Sequence, residues 1–447
     1  MAGWFWWIQL LSLVVGMAAM AVALTSKENR RTLWRFPVFW LGLLFLSYVA
    51  CQALNPWAVA VRHRADIFVW DLFLHPHISW LPSGISANYF EISPWRLFVY
   101  WLAPWLLVCA WWAAVKRRRS GRRLVLIVFL NGLITAAVIL VQHIHTPTKY
   151  MWIYLDPSTA PGAARTDSAG FGNWDHAGMF LYLSLATGMA LAARLMARAR
   201  KQGLDNGFVW VVLLACVALV GFFFILGSRA GLIIACVYFL LGLIVLVVAS
   251  LRAGEKLPGL WVGAAVLLLC LASVVAYEFQ GHHSWTLERE RYLSSLTRDD
   301  TRTLLRQETL RMMQPHFWLG WGAGSYRYVS PDYFREDYLF HSSHYWGGLD
   351  LYTDYAHCDW LQFAMEYGVV GAGLALAILI YWFGYALWLW RQLGVEGWLI
   401  LLAAAAILAH AAVDFPLFVP AVLTLFCLLI ASTLKSASLE VRSDSRR

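Results

Sequence analysis

Three residues in this chain have the type and setting that chemistry at a membrane surface requires. Arg229 stands in LGSRAGL, between two apolar runs of about twenty residues each. A guanidinium at such a boundary is costly unless it meets water, a headgroup or an anion. Its planar, permanently protonated fork suits a phosphate. Arg302 and Arg306 stand four apart in TRTLLRQETLRMM, a stretch that predicts a helix from about Thr301 to Met313, so they share a face. His357 opens HCDWLQFAMEYG, shortly before the chain turns apolar again. An imidazole is a natural general base for a hydroxyl nucleophile. A pyrophosphate is a good leaving group, and fixed arginines in a low-dielectric site stabilise the charge it develops. Two cations and one base, with no metal and no cofactor, form a sufficient minimal set.

Each residue also has a plainer reading. Arg229 would snorkel to the interface, Arg302 would belong to a solvated helix face, and His357 would hydrogen-bond Asp359 within a loop. His341, His344 and His357 are too irregularly spaced to define a metal-ligand set.

The elements that must hold these residues are membrane spans. The chain is 60% hydrophobic and 14% charged, with 26 Trp among 447 residues. A water-soluble protein would not expose so much apolar surface, so the expected class is an all-α polytopic membrane protein. Eleven spans are expected, at 4–24, 36–54, 95–115, 124–142, 176–194, 208–227, 232–251, 258–277, 369–389, 397–413 and 418–435. The first lacks a small-residue cleavage site and reads as a retained helix. The formal net charge of +9 does not indicate nucleic acid, because 21 of the 35 Lys and Arg fall in 26–35, 116–123, 194–201, 252–256, Arg391 and 435–447. That distribution follows the positive-inside rule. It places 55–94, 143–175, Ser228–Arg229 and the long polar segment 278–368 on the outer face. Six of the seven Cys lie in apolar runs, which leaves no disulfide framework and no zinc cluster.

The expected organisation is therefore eight spans with short loops over 1–277, a large, partly helical outer loop over 278–368 carrying the site, the last spans over 369–435, and an irregular tail from 436. The segment from Trp57 reads as an amphipathic stretch lying in the interface. Residues 143–166 read as irregular, leading into a turn at Gly170, Gly172 and Asn173.

The ordered set SRAG, TRTLLRQETLRMMQPHFWLGWGAGSY and AHCDWLQFAMEYGVVG resembles the O-antigen ligase and polysaccharide polymerase family of bacterial inner membranes. GFGNWDHAGMFLYL resembles that family's Gly-Phe-x-Asn stretch, and AHAAVDFPLFVPA its late His-x-x-x-Asp-Phe segment. The resemblance runs from about Gly170 to Ala421. It implies a GT-C-type glycosyltransferase of the inner membrane whose site faces the periplasm. The implied donor is a glycan on undecaprenyl pyrophosphate, transferred with inversion and without metal to a glycan or lipid A core acceptor. By motif, Arg229 and Arg302 would bind the pyrophosphate and His357 would activate or orient the acceptor hydroxyl. Arg165, Arg306, Asp359 and Glu366 are candidates for supporting roles. Cys358 stands where the family often has Asn, and Asn173-Trp174-Asp175-His176 departs from the commoner Asn-x-Asn.

Ligase and polymerase activities share this chemistry and differ in acceptor. A transporter of lipid-linked glycans is the reading from another class, and it predicts polar residues in the middle of spans. The mid-span positions here are overwhelmingly apolar.

Overall fold

The computed structural model describes residues 6–64, 67–89, 91–145, 149–150, 154–155, 174–203, 207–226, 229–253, 301–333 and 354–444. It is an all-α polytopic membrane protein with little sheet. In chain order the elements are α1 (Trp6–Leu24), α2 (Lys27–Trp34), α3 (Pro37–Leu54), β1 (Pro56–Arg64), β2 (Ile67–Leu74), β3 (Gly84–Ser86), α4 (Pro94–Ala114) and α5 (Arg118–His145). A two-residue ladder, β4 (Lys149–Tyr150) with β5 (Tyr154–Leu155), precedes α6 (Trp174–Gln202), α7 (Gly207–Leu226) and α8 (Arg229–Arg252). Then come α9 (Thr301–Met313), the single turn α10 (Tyr326–Val329), α11 (Asp359–Trp388), α12 (Gly394–His410) and α13 (Pro420–Asp444).

Seven helices among the described residues are long and apolar enough to cross a bilayer: α3, α4, α5, α6, α8, α11 and α13. α1 and α2 meet the same test only as a pair bent by 111°, and Gly207–Phe223 of α7 and Gly394–His410 of α12 are apolar but shorter. A helix lies over every expected span except 258–277, which falls outside the described residues. Burial separates a central helix from peripheral ones. In α6, 78% of the crossing window is buried, against 28% in α5. Its sequence explains this. Ser184, Ala186, Thr187, Gly188, Ala190, Ala192 and Ala193 are small, and small residues let helices approach where the hydrophobic effect gives no drive between them. A side chain at Gly188 would collide with Phe129 of α5 and Cys216 of α7.

Two expectations change. The stretch from Trp57, expected only as an amphipathic segment, is a β-hairpin: β1 and β2 pair antiparallel, Ala58 opposite Leu74 and Val61 opposite Asp71, and β3 adds parallel to β1. The reason is a period of two, since Ala58 and Ala60 are buried against Met312, Tyr326 and Tyr328 while Val61 is exposed. The tail is helical through Asp444. Ala437 is buried, Val441 packs on the main core, and Glu440 pairs with Arg118 at 3.0 Å, so α13 has reason to continue.

α11 is two helices in one run. Gly368 breaks it at φ 61° and ψ −176°. The break releases backbone groups, and the segment before α10 takes them. Trp321 and Gly322 N–H donate to the Met365 and Glu366 carbonyls at 3.0 and 2.9 Å, and Val369 N–H donates to Phe317 at 3.0 Å. Gly320 lies against this seam with φ +71°, where a β-carbon would strike the Glu366 carbonyl. The HFWLGWGAGSY motif is thus a strap over the break, dividing the polar turns 359–367 from the apolar part 369–388.

An aromatic cluster anchors those polar turns. Phe363 stacks on Tyr367 at 4.3 Å and on Phe45 at 5.8 Å, with Trp101 edge-on at 5.5 Å. Each such pair contributes about 0.5–1.5 kcal/mol beyond its burial. Polar bonds add register: Tyr48 Oη lies 2.8 Å from the Leu319 carbonyl, and Gln52 Nε2 donates to the Glu366 carbonyl at 3.1 Å.

Candidate active site

His357 sits in the short link between Asp354 and α11, with φ +49°. Among the described residues it is the one non-glycine in the left-handed region. That backbone costs about 1–3 kcal/mol and persists only where its surroundings over-determine it. They do so here. Ala356 N–H donates to Gln362 Oε1 at 2.9 Å on one side of the histidine. On the other, Asp359 N–H donates to the Ala411 carbonyl at 2.8 Å, and Asp359 Oδ2 accepts from Leu417 N–H at 2.8 Å. The His357 segment and the link 411–419 between α12 and α13 are thereby sewn together.

That stitching brings Asp414 to His357. Nδ1 lies 3.3 Å from Asp414 Oδ1; the His357 side chain is 30% exposed and that of Asp414 5%. Asp414 is also approached by His410, one turn earlier on α12, at 3.9 Å, and feels the charge of His176 in the first turn of α6. Burial by itself would raise the Asp414 carboxyl. The hydrogen bond and charge of His357, with the charges of His410 and His176, bring it below its ordinary value of 3.8. The ring of Phe415 joins the group: His357 and His176 meet it edge-on at 5.0 and 4.8 Å, and Tyr355 stacks on it at 4.4 Å. A carboxylate on Nδ1 fixes the imidazole's orientation and leaves Nε2 as the basic nitrogen. Among the described residues, no group of three or more His, Cys, Asp or Glu is arranged to hold a metal ion.

Asp359 and Glu366 have a different place. The Asp359 carboxylate holds the 411–419 link. Glu366 is fully buried, with Oε2 accepting from Gly324 N–H at 2.9 Å and Oε1 from Gln362 Nε2 at 3.0 Å. Both tie backbone segments together, and the carboxylate on His357 is Asp414.

α9 lies against the same link, because Arg306 Nη2 donates to the Ala412 carbonyl at 3.0 Å. Arg306 Nε is buried and has no hydrogen-bond partner among the described residues. Arg302 lies one turn earlier on α9, and Arg229 is the first residue of α8. The side chains of Arg302 and Arg229 lie outside what is described, as do Arg165, Gly170, Gly172, Asn173, His341 and His344 entirely.

Beside the His357 link opens a cavity of about 130 Å³, lined among others by Arg96, Arg327, Asp354, Tyr355, Gln362 and Glu366. Arg327 is nearly buried, paired with Glu91 at 3.3 Å and Asp354 at 3.2 Å, and lies over the Trp70 ring at 5.0 Å. Arg96 Nε donates to Gln9 Oε1 at 3.4 Å. Alternating cations and carboxylates beside aromatic faces suit a polyhydroxylated ligand better than a bare anion. Sequence reasoning passed over both arginines, since one Arg opening an apolar run and one in SYRY carry no pattern. It also passed over Asp414 as a partner, although the four-residue spacing from His410 in AHAAVDF was a usable signal.

Residues 214–376 match the family model described as O-antigen ligase, a little over a third of the chain. No curated protein matches the chain. The matched stretch contains Arg229, α9, the strap and the His357 segment, whereas Asp414, His410, His176 and Arg96 lie beyond it. The resemblance read from the ordered motifs is thus supported by a family match over 214–376.

Proposed function

We propose that the protein transfers a glycan from undecaprenyl pyrophosphate to an acceptor hydroxyl at the end of the bundle that carries His357, taken as the periplasmic face of the inner membrane. The observation that carries this is the His357–Asp414 pair, a partly exposed imidazole held by a buried carboxylate beside a polar, aromatic-lined cavity. His357 Nε2 takes the proton of the acceptor hydroxyl, Asp414 stabilises the imidazolium that results, and the oxygen forms a bond to the anomeric carbon from the face opposite the departing group. The bond from that carbon to the pyrophosphate oxygen breaks, its electron pair leaving with undecaprenyl pyrophosphate. Inversion follows from the single displacement. Arg229 and Arg302 are assigned to the pyrophosphate, with Arg306 and Arg165 in support. Charge stabilisation by guanidinium groups makes a metal unnecessary in this scheme. Asp359 and Glu366 hold the backbone that aims His357, and the cavity by Arg96 and Arg327 receives the acceptor sugar.

The test is a reconstituted reaction containing purified protein, a lipid-pyrophosphate glycan and two acceptors, a lipid A core and a second lipid-linked repeat unit, with a chelator present. Transfer to the core with inverted linkage is the expected result, and transfer to the repeat unit instead would make the protein a polymerase. A strict requirement for a divalent cation, or movement of the lipid-linked glycan across the bilayer without a new glycosidic bond, would overturn the reading.

A further inference from the structure

At the opposite end of the bundle, cations converge where simple snorkelling would spread them. A cavity of about 620 Å³ is lined by seven Lys or Arg and two carboxylates, Glu396 and Glu440. The cations come from the start of α5, the end of α6 and the α11–α12 link, so separate helices aim them at one space. Glu440 is engaged with Arg118 at 3.0 Å. Half-buried Arg194 lies near enough to Arg122, Arg198 and Arg118 to be repelled by each, with Glu396 as the opposing attraction. Like charges held together at a bilayer edge are unfavourable unless an anion joins them.

Topology by itself does not require this arrangement. The positive-inside rule is satisfied by cations pointing anywhere into the cytosol. A smaller adjoining cavity of about 40 Å³ shares Arg122 and Arg194 and adds the hydroxyl-bearing Ser432, Thr433 and Ser436 of α13. Clustered cations beside hydroxyl donors suit phosphate oxygens.

Two features point to a lipid source for that phosphate. Part of the cavity wall is apolar, including Met196, Leu246 and Val395. Its edge meets an aromatic belt: Trp388 and Trp390 are 64% and 56% exposed, and Arg391 lies over the Trp390 ring at 5.1 Å. Exposed tryptophans mark headgroup depth.

We propose that this cavity binds the phosphodiester headgroup of an anionic membrane lipid, with the acyl chains along the apolar wall. The proposal does not depend on the transferase reading, because its site lies across the bilayer from His357. The crossing part of α11 alone separates them by about 30 Å.

The experiment measures binding to the full-length protein in neutral detergent, by native mass spectrometry and by thermal unfolding. The probes are cardiolipin, phosphatidylglycerol, phosphatidylcholine and inorganic pyrophosphate. The two anionic lipids should bind and raise Tm, cardiolipin more strongly, and added salt should weaken both. Affinity should fall about fivefold per cation removed, and on the order of 100-fold in Arg122→Ala/Arg194→Ala/Arg391→Ala. The corresponding triple Lys variant should keep most of it. Arg391→Glu, on an exposed link, gives the same test with little risk to folding and should weaken cardiolipin at least fivefold. Equal binding of phosphatidylcholine, or unchanged cardiolipin affinity in Arg391→Glu, would overturn the proposal. Pyrophosphate binding as tightly as cardiolipin would overturn the lipid assignment and leave a soluble-anion site.

Discussion

The two ends of this bundle handle charge in opposite ways. Around His357, charged groups are matched by directional partners: Asp414 with His357, Glu366 with Gly324 N–H and Gln362, Arg327 with Glu91 and Asp354. At the basic end seven cations face two carboxylates across a larger space. The first arrangement fixes geometry, because a buried carboxylate with satisfied oxygens has nowhere else to go. The second sets a potential, because several long side chains can meet an anion in many ways. Function at one end should therefore depend on which atom sits where, and at the other on how much charge is present.

The largest test of that contrast is His357→Ala. Removing the base should lower transfer by about 10²–10⁴-fold, while the thermal unfolding temperature stays near that of the parent. Near-normal transfer in a folded variant would remove His357 from the chemistry. Asp414→Asn keeps shape and removes charge. The expected loss is smaller, on the order of 10–100-fold, the usual cost of losing a histidine's orienting partner. The acid limb of the rate profile should move with it. A purely structural Asp414 would lower the amount of folded protein without moving that limb.

Arginine-to-lysine changes read the contrast directly. Arg229→Lys keeps charge but loses the bidentate fork, and at least about a tenfold loss of transfer is expected. Arg194→Lys should leave both transfer and cardiolipin binding within about twofold, since one cation replaces another there. Equal sensitivity at the two positions would erase the distinction.

The smallest effect is in pH-dependent stability. The Asp414 carboxyl is held below its ordinary value of 3.8 in the folded state. Its contribution is therefore present above about pH 4 and lost as pH falls through the lower folded value. Unfolding temperatures measured from pH 5 to pH 2.5 should show a steeper acid decline in the parent than in Asp414→Asn. Parallel curves would mean that the His357 contact adds nothing to stability.

The class of the protein was legible because spans are long, apolar and separated by basic connectors, each a local property. The helix break at Gly368 falls where the polar turns meet the apolar run. The hairpin over 56–74 is not legible in the sequence, because aromatic residues beside charges mark an amphipathic stretch without fixing its secondary structure. The alternation of Ala58, Ala60 and Val61 was the available cue, and it acquires meaning only against Met312 and Tyr328. Asp359 and Glu366 drew attention as neighbours of His357 along the chain. The folded molecule turns both toward backbone groups of other segments.

Residue type and order by themselves determined that this is a many-span membrane protein, with a long polar segment holding His357 and a set of motifs like those of the O-antigen ligases. Hydropathy and charge act over one helix or one connector, so they survive in a linear reading. Tertiary structure alone decided that Asp414, fifty-seven positions beyond His357, meets its imidazole, that Arg96 and Arg327 share one cavity, and that the basic connectors converge. Those juxtapositions join residues far apart in the chain, and only the packing of α6, α11, α12 and α13 brings them within reach.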